Sequence, residues 1–373
     1  MRSSEGQLGL NFPKPNNCIA HKKYSKFITK AEAGQANKFC VSKSFGTLTC
    51  RTEDADEYLA DISGLSLNTV QAKPVSLPQL PAFFPMLHQR VFNCSPSTIP
   101  FPMVGVSLTD AQKYLRPLSK GYMYLANTEL NYKLMSLPIF SGKAVVLSQT
   151  GKDVLIESVW TNSLDERYFQ RVSGMNFACI TGFNFSIFFG DCSFGHRYNI
   201  KKSLEAFRLS QTTTTPTIPH MYWANEFHLQ DLAKWLNDNP AVTLISVNCQ
   251  CYRAEDFALV EYGLRYFAKN VKQKIRFLLE GPPIGLLLRI PDLAGRVHIT
   301  TKEPVMYALY HRQYSIDGIK LRRIKRPKLS KEYLLGWNTT MYAEYLEKIF
   351  FNQPKLSLAP AQQTDKLKVK FYH

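Results

Sequence analysis

The chain has 373 residues, of which 45% are hydrophobic and 13% aromatic, so it can bury a large core and is not intrinsically disordered. Lys and Arg outnumber Asp and Glu by 46 to 29, which gives a net charge of +17. No apolar run approaches the roughly 20 residues that a membrane-spanning helix needs, and no apolar signal follows Met1, so we expect a cytoplasmic protein without membrane association.

The positive charge is concentrated at the two ends of the chain. Residues 1–51 contain nine Lys and Arg against Glu5 and Glu32, and residues 316–373 contain twelve against five acids. Each end therefore has a net charge of +7, which leaves +3 for the middle. Cationic ends around a nearly neutral core favour DNA or RNA as a partner, because neutralised phosphates release counterions. A solvated basic surface that keeps the protein in solution is the alternative.

Residues 1–85 are rich in lysine and lack hydrophobic periodicity, which predicts a basic N-terminal extension ending in the proline-rich connector AKPVSLPQLPAFFP. Cys18 and His21 have C-x-x-H spacing, and with Cys40 and Cys50 they form a ligand set suited to a structural zinc. The last two cysteines are separated by nine residues instead of the usual two to four, so unrelated thiols are the alternative. With eight cysteines in the whole chain, reduced thiols are expected.

Residues 86–315 predict a barrel-like domain, because β-branched and aromatic runs alternate with longer amphipathic segments. The predicted strands cover 103–108, 144–148, 154–160, 177–183, 217–223, 242–248, 275–281 and 297–300. Helices are predicted over 124–137, 162–173, 198–210, 226–238, 254–270 and 303–313, with Asn225 as the cap of the fourth. Eight such units favour an α/β fold of the TIM-like (β/α) barrel type, imperfect near 144–160, where two strands nearly touch. An open doubly wound sheet is the alternative.

A parallel barrel places its site on the loops after the strands, so residues at the predicted strand ends are the catalytic candidates. Glu157, Asp191 and Glu280 are the carboxylates best placed for acid–base or nucleophilic chemistry, because apolar strands around them would raise their pKa. His220 is a candidate proton carrier. Each of these residues also has a structural explanation. Asp191 could cap a helix, and Glu157 could form an ion pair with Arg167 or another base. Glu280 precedes a rigid Gly-Pro-Pro turn, and His220 could be a core histidine.

Further polar and aromatic residues follow the same predicted strands and are candidates for substrate binding. The aromatic members offer flat faces for stacking a base, although aromatic residues at this density also serve as packing. The predicted set is Asn184, Ser186, Tyr222, Trp223, Asn248 and Gln250.

Residues 316–373 predict a basic C-terminal extension. Seven Lys and Arg lie between Lys320 and Lys331 without an acid, and an amphipathic stretch over 332–350 follows. An arm that stays extended around Pro327 and contacts phosphates is one interpretation, and a solvated arm is the other. The predicted nucleic-acid-binding residues are Lys320, Arg322, Arg323, Lys325, Arg326 and Lys328.

The stretch from residue 180 to 223 resembles the core of a family of bacterial, phage and plasmid proteins known only as a domain of unknown function. The shared features are Asn184-Phe185-Ser186, Asp191, Tyr198-Asn199 with Lys201 and Lys202, and Ile218-Pro219 with Trp223. The family commonly has Asp where this chain has Asn184. The resemblance implies a mobile-element context and no particular reaction.

Two functions therefore remain open at the level of sequence. The first is a nucleic-acid-associated enzyme that acts on a base or nucleotide at the C-terminal mouth of the barrel. The second is a non-catalytic DNA- or RNA-binding protein, for replication or maintenance, in which the barrel is a scaffold. A sugar-processing barrel would leave the basic ends unexplained. The P-loop, Rossmann, zincin and α/β-hydrolase motifs are absent, which argues against those classes.

Overall fold

The computed structural model describes residues 59–60, 62–111, 114, 134–163, 167–187, 193–250, 252 and 254–352. Eight parallel strands form its centre, each followed by connecting segments that hold the helices. The strands are β1 (Phe83–Leu87), β2 (Met103–Ser107), β3 (Ala144–Ser148), β4 (Cys179–Thr181), β5 (Thr217–Ile218), β6 (Leu244–Asn248), β7 (Arg276–Glu280) and β8 (Val297–Thr301).

The parallel sheet is nearly closed into a barrel. Its strand order is β5-β4-β3-β2-β1-β8-β7-β6, so β5 and β6 are the two ends of the sheet. A parallel bridge between His220 and Ser246 joins these ends, and the Met221 N–H donates to the Ser246 carbonyl at 2.9 Å. The predicted TIM-like α/β barrel is therefore confirmed, and the open sheet is not formed.

The α-helices of the described residues lie between and after the strands. Asn225 caps α5 as predicted, because its Oδ1 accepts a hydrogen bond from the His228 N–H at 3.0 Å. The helices are α1 (Leu108–Ala111), α2 (Asp153–Ser163), α3 (Arg167–Ser173), α4 (Ser193–Ser210), α5 (Glu226–Asp238), α6 (Phe257–Asn270), α7 (Ile284–Leu287), α8 (Glu303–Leu309) and α9 (Lys331–Leu346).

The strand predicted over 154–160 is wrong, because this segment lies in α2. Ile156, Val159 and Trp160 are buried at the i, i+3 and i+4 spacing of a helix. The first barrel strand, β1, was missed, because it begins inside the predicted proline-rich connector, which ends at residue 85. Pro85 lies within β1 in register with Thr301 of β8, and all five residues of the strand are buried. Most of the helix predicted over 124–137 lies outside the described residues.

Residues 312–325, which include the start of the segment predicted from residue 316 as an extended or solvated basic arm, form a folded hairpin. Strands β9 (Arg312–Asp317) and β10 (Lys320–Lys325) pair antiparallel, with Gly318 at a φ of 59° in the turn between them. Buried Tyr314 of β9 packs against Tyr342 of α9 with their ring centroids 6.0 Å apart. The hairpin and α9 therefore fold together against the barrel.

The lower half of the barrel interior is apolar. Side chains from successive strands meet there and fill the space between the strands, as in other closed barrels of this size. The buried residues of this layer are Leu80, Phe84, Met103, Val146, Cys179, Ile218, Leu244 and Leu278. Two larger apolar clusters lie between the sheet and the surrounding helices.

Gly263 of α6 is expected to be intolerant of any side chain. A Cβ at this position would lie 2.2 Å from the Trp223 ring, which is buried and donates a hydrogen bond to the Leu259 carbonyl at 3.1 Å. Overpacking of a rigid core contact costs roughly 1–3 kcal/mol or more. We expect Gly263→Ala to lower the free energy of unfolding in urea by that amount. Gly295→Ala, whose Cβ has no neighbour within 4 Å, is the control, and equal effects of both substitutions would contradict the expectation.

Candidate functional site

The upper half of the barrel interior is polar, in contrast to the layer below it. Ser148, Thr181, His220, Ser246 and Glu280 each lie two residues after a side chain of the apolar layer. Since side chains along a strand alternate between faces, all five point into the same interior as that layer. Each of them is buried. The sequence therefore changes from apolar to polar at one level of the barrel, at the C-terminal ends of the strands.

Glu280, the last residue of β7, is the centre of this polar layer. Its carboxylate accepts a hydrogen bond from the Ser148 hydroxyl of β3, which lies on the opposite side of the barrel. The nearby Thr150 and Thr181 hydroxyls also favour its ionised form. Burial raises the pKa of Glu280 to about 7, against the opposing effect of these hydroxyls, of the Ser148 hydrogen bond and of the Lys302 charge. Glu280 is thus a carboxyl group that exchanges its proton near neutral pH.

Four buried polar atoms near this end of the barrel have no hydrogen-bond partner within the described part of the chain. They are Asn184 Oδ1, His220 Nε2, Glu280 Oε1 and Thr300 Oγ1. An unpaired buried polar atom costs roughly 1–3 kcal/mol, so such groups seldom cluster without a polar partner. Their arrangement suits a polar ligand that donates to the oxygens and pairs with the imidazole.

His220 is a neutral imidazole at neutral pH. Burial lowers its pKa to about 3, and its Nδ1 lies 3.0 Å from the Ser246 hydroxyl. Because Nδ1 is engaged with Ser246, Nε2 is the ring nitrogen available to a ligand. His220 therefore serves as a hydrogen-bonding group at physiological pH and not as an imidazolium.

A cavity of about 870 Å³ opens above the polar layer, at the C-terminal mouth of the barrel. This is the end at which barrels of this class carry their sites. All six residues predicted to bind substrate line it, namely Asn184, Ser186, Tyr222, Trp223, Asn248 and Gln250. The predicted catalytic residues Glu280 and His220 are buried below it and are not among its lining residues, but Asn248, which is in register with Glu280, is.

The aromatic wall of the cavity consists mainly of tyrosines. The rings of Tyr222 and Tyr252 lie with their centroids 6.5 Å apart, and Tyr222 also contacts the His220 ring at 5.1 Å. Trp223 is only 2% exposed, and its indole is packed against α6, so it offers the cavity little surface. Of the aromatic residues that line the cavity, Tyr222 and Tyr252 are therefore the less buried ones, and Tyr252 was not predicted.

A charged pair borders the cavity beside β8 and β2. Lys302 forms an ion pair with Asp110 of α1 and donates to the Ser107 hydroxyl at 2.7 Å. Burial alone would raise the pKa of Asp110, but the Lys302 charge and the hydrogen bonds from Lys302 and Ser107 hold that pKa below its ordinary value. Asp110 is therefore ionised and fixes the Lys302 ammonium at the rim. Neither residue was predicted, although Lys302 directly follows a predicted strand end.

Glu157 lies outside the cavity lining, contrary to its predicted position at a strand end. It projects from α2 and forms a buried ion pair with Lys202 of α4, so its ion-pair interpretation applies, with Lys202 as a base. The Lys202 ammonium also lies 4.4 Å from the centre of the Phe185 ring. Burial raises the pKa of Glu157 to about 7, with Lys202 acting in the opposite direction.

Asp153, one turn before Glu157 on α2, is the carboxylate of this helix that lines the cavity. Its Oδ1 accepts a hydrogen bond from the Ser186 hydroxyl at 2.8 Å. Burial raises the pKa of Asp153, and the Ser186 hydrogen bond opposes that shift. Sequence reasoning missed Asp153 because it directly precedes the segment 154–160 that was predicted as a strand, at the opposite end from the predicted site.

The predicted catalytic Asp191 and the predicted zinc ligands Cys18, His21, Cys40 and Cys50 lie outside the described residues. Within the described ranges, no group of three or more His, Cys, Asp or Glu side chains is placed to hold a metal ion. The described cysteines Cys94, Cys179 and Cys249 carry free thiols.

The basic residues predicted to bind nucleic acid divide into two groups on the hairpin. Arg322 pairs with Asp317, Arg323 pairs with Glu303, and Arg326 donates to the Gln313 side chain at 3.2 Å. The second group has no ion-pair partner among the residues the structure describes, and it is exposed. Its members are Lys320, Lys325 and Lys328.

No protein-family model matches the sequence, and no curated protein is detectably similar to it. The resemblance to the phage and plasmid family therefore stays a prediction. Among the described residues, no helix combines the length and the apolar character needed to cross a membrane.

Proposed function

We propose that this chain is an enzyme that acts on a base or nucleotide, free or within a nucleic acid, at the C-terminal mouth of the barrel. The observation that carries the proposal is the fully buried Glu280 carboxyl, with one unpartnered oxygen, beneath a cavity of about 870 Å³. A carboxyl group whose pKa is about 7 donates and accepts protons efficiently near neutral pH. Glu280 is accordingly assigned as the general acid and base.

The other residues of the mouth are assigned to binding and orientation. Asn184, Asn248 and Gln250 carry amides, which pair with the mixed donor and acceptor edges of a nucleobase. Tyr222 and Tyr252 offer flat faces on which such a ring stacks. A planar heterocycle with polar edges therefore suits this lining better than a sugar alone.

A basic chain also suits an anionic substrate. The net charge of +17 would attract a phosphate-bearing molecule, and Lys152 and Lys302 are the cationic residues of a cavity lining that also contains Asp153 and Asp256. The phage or plasmid context and a cytoplasmic location remain part of this proposal. They rest on the sequence resemblance and on the composition alone.

A second candidate is a non-catalytic DNA- or RNA-binding protein with the barrel as its scaffold. The exposed Lys320, Lys325 and Lys328 on the hairpin favour it, because they have no ion-pair partner among the described residues and can neutralise phosphates. In that case the mouth would bind no nucleotide and Glu280 would have only a structural role.

The two candidates are separated by a panel of nucleobases, nucleosides, nucleotides and short oligonucleotides. Each compound is tested for an increase in Tm and, by mass spectrometry, for conversion by the wild type and by Glu280→Gln. We expect at least one compound to raise the Tm of both proteins and to be converted by the wild type only. Glu261→Gln, which removes a carboxylate paired with Arg265 and Arg289 away from the cavity, is the control and should leave conversion unchanged.

Two results would contradict the proposal. Oligonucleotide binding without conversion of any compound would favour the scaffold function. Conversion that persists in Glu280→Gln would remove Glu280 from the catalytic role.

A further inference from the structure

The carboxyl group assigned as acid and base does not itself line the cavity. Glu280 is fully buried, and it is not among the residues around the space above it. Its Oε1 has no hydrogen-bond partner within the described part of the chain, whereas its Oε2 accepts from the Ser148 hydroxyl. A proton that passes between Glu280 and a substrate in the cavity therefore needs an intermediate group, and Oε2 is the oxygen at which a hydrogen-bonded path begins.

Two hydroxyl groups connect Glu280 Oε2 to the cavity. The Ser148 hydroxyl, which donates to Glu280, also lies 2.7 Å from the Thr150 hydroxyl. Ser148 and Thr150 are only 1% and 4% exposed, and Thr150 is one of the residues that line the cavity. Glu280, Ser148 and Thr150 thus form a continuous hydrogen-bonded path from the polar layer of the barrel to the cavity wall.

The backbone that carries the two hydroxyls is fixed by the residue between them. The Gln149 N–H donates to the Thr181 hydroxyl at 3.0 Å, and the buried Gln149 side chain donates to the Thr181 carbonyl. Gln149 Oε1 also accepts from the Tyr168 hydroxyl at 2.9 Å. These bonds hold the end of β3 against β4, so Ser148 and Thr150 are pre-organised relative to each other.

The other titratable groups around Glu280 offer no comparable path among the described residues. His220 Nε2 and Glu280 Oε1 both lack a partner there, so these two side chains are not bonded to each other. Burial and the Glu280 charge raise the pKa of the Cys249 thiol, which therefore stays protonated. The Lys302 ammonium is held in its ion pair with Asp110.

We propose that Ser148 and Thr150 relay protons between Glu280 and a substrate in the cavity. The proposal deepens the proposed function and rests on Glu280 as its acid and base. In the acid direction the O–H bonds of Glu280, Ser148 and Thr150 break, and the protons form new bonds at Ser148 Oγ, Thr150 Oγ1 and a basic atom of the substrate. Each hydroxyl gains one proton as it loses another, so both are regenerated, Glu280 becomes a carboxylate and the substrate gains one proton. The reverse sequence removes a proton from the substrate.

The test is the rate at which Glu280 changes its protonation state after a rapid pH jump, measured in the full chain by the infrared band that Glu280→Gln removes. We expect Thr150→Val to slow this exchange at least about tenfold, which corresponds to about 1.4 kcal/mol in the barrier, because valine keeps the shape of threonine without the hydroxyl. Ser148→Ala should also slow the exchange and should raise the pKa of Glu280, since it removes a hydrogen bond that favours the ionised form. Thr150→Ser, which keeps a hydroxyl, should exchange like the wild type.

The matched control is Thr214→Val, at a second pair of hydroxyls. Thr214 Oγ1 lies 2.9 Å from the Ser173 hydroxyl, and neither residue lines the cavity. This variant should exchange the Glu280 proton at the wild-type rate. For a compound that the wild type converts, Thr150→Val should lower kcat with little change in KM, and Thr214→Val should leave both unchanged.

Two results would overturn the proposal. Exchange at the wild-type rate in both Thr150→Val and Ser148→Ala would show that protons reach Glu280 through Oε1, and equal slowing by Thr214→Val would show an effect unrelated to the path. A purely structural role of the hydroxyls would change the midpoint of unfolding but not the exchange rate. Failure of the relay is distinguishable from failure of the proposed function, because the pH jump needs no substrate, whereas the proposed function fails when Glu280→Gln retains conversion.

Discussion

Replacing Glu280 by Gln is expected to lower turnover at the barrel mouth by a factor of about 100 to 10,000, the usual contribution of a positioned acid or base. Glutamine keeps the size of the side chain and an oxygen that accepts from Ser148, but it cannot transfer a proton. The pH profile of kcat/KM of the wild type should change near pH 7, at the pKa of Glu280, and this change should be absent in Glu280→Gln. A wild-type profile with no change near pH 7 would contradict the assignment.

The same carboxyl group makes the stability of the fold depend on pH. Its pKa is raised from 4.5 to about 7, so the folded protein binds its proton more tightly than the unfolded chain does. The free energy of stabilisation that comes from protonated Glu280 is therefore complete below about pH 4.5 and is lost as the pH rises to about 7. Each pKa unit corresponds to about 1.4 kcal/mol, so roughly 3 kcal/mol separates the two ends of this range. Urea denaturation of the wild type and of Glu280→Gln at several pH values measures this pH dependence. If the free energies of unfolding of the two proteins change with pH in the same way, the prediction is contradicted.

Removal of Lys202 is the substitution with the largest expected effect on stability. Lys202→Met removes the Lys202 charge from the buried Glu157, and breaking a buried ion pair on one side costs about 3–5 kcal/mol. The lost contacts of the ammonium with Phe185 and Trp160 add to this effect. We expect a correspondingly lower midpoint of chemical unfolding at neutral pH. Lys234→Met, which breaks an exposed pair with Asp238, should change the midpoint little and is the control.

The double variant Glu157→Leu/Lys202→Met separates a structural role from a catalytic one. Replacing both charges by apolar side chains of similar size removes the uncompensated charge and should recover most of the lost stability. Because Glu157 projects from α2 toward Lys202 of α4 and not from a barrel strand into the polar layer, the double variant should also retain turnover at the mouth. Loss of turnover in a double variant that still folds would show that catalysis requires Glu157 or Lys202.

Most of the barrel could be predicted from the sequence because its strands are short apolar runs between amphipathic segments. The segment from 154 to 160 was mistaken for a strand since its apolar residues fit either a continuous strand run or one face of a helix, and so short a run does not separate the two. The strand β1 was missed because Pro85 reads as a loop residue: proline lacks the backbone N–H and is rare in a strand that is paired on both sides, as β1 is with β2 and β8. Tyr314 was not recognised as a core residue because it lies next to a highly charged segment. It is buried and packs against Tyr342 of α9, and this contact holds the hairpin to that helix.

The position of the site could be predicted more completely than its chemistry. Strand ends are visible in the sequence, which is why the six predicted binding residues lie along one cavity. The contact of Ser148 with Glu280 joins opposite strands of the barrel, and no local pattern encodes it. The same holds for Lys302 and Asp110, which are distant in the chain and meet only after β8 and β2 pair on either side of β1.

The most direct test of the proposed catalytic centre is an infrared titration of the Glu280 carboxyl group in the folded protein. The difference between wild type and Glu280→Gln isolates its protonated carbonyl band, so the band of Glu157, whose pKa is also raised to about 7, cancels. The arrangement around Glu280 predicts a midpoint near pH 7, with a shift when a nucleotide that raises the Tm is added. A midpoint near the ordinary value of 4.5, unaffected by any such nucleotide, would contradict a proton-transfer site at the barrel mouth.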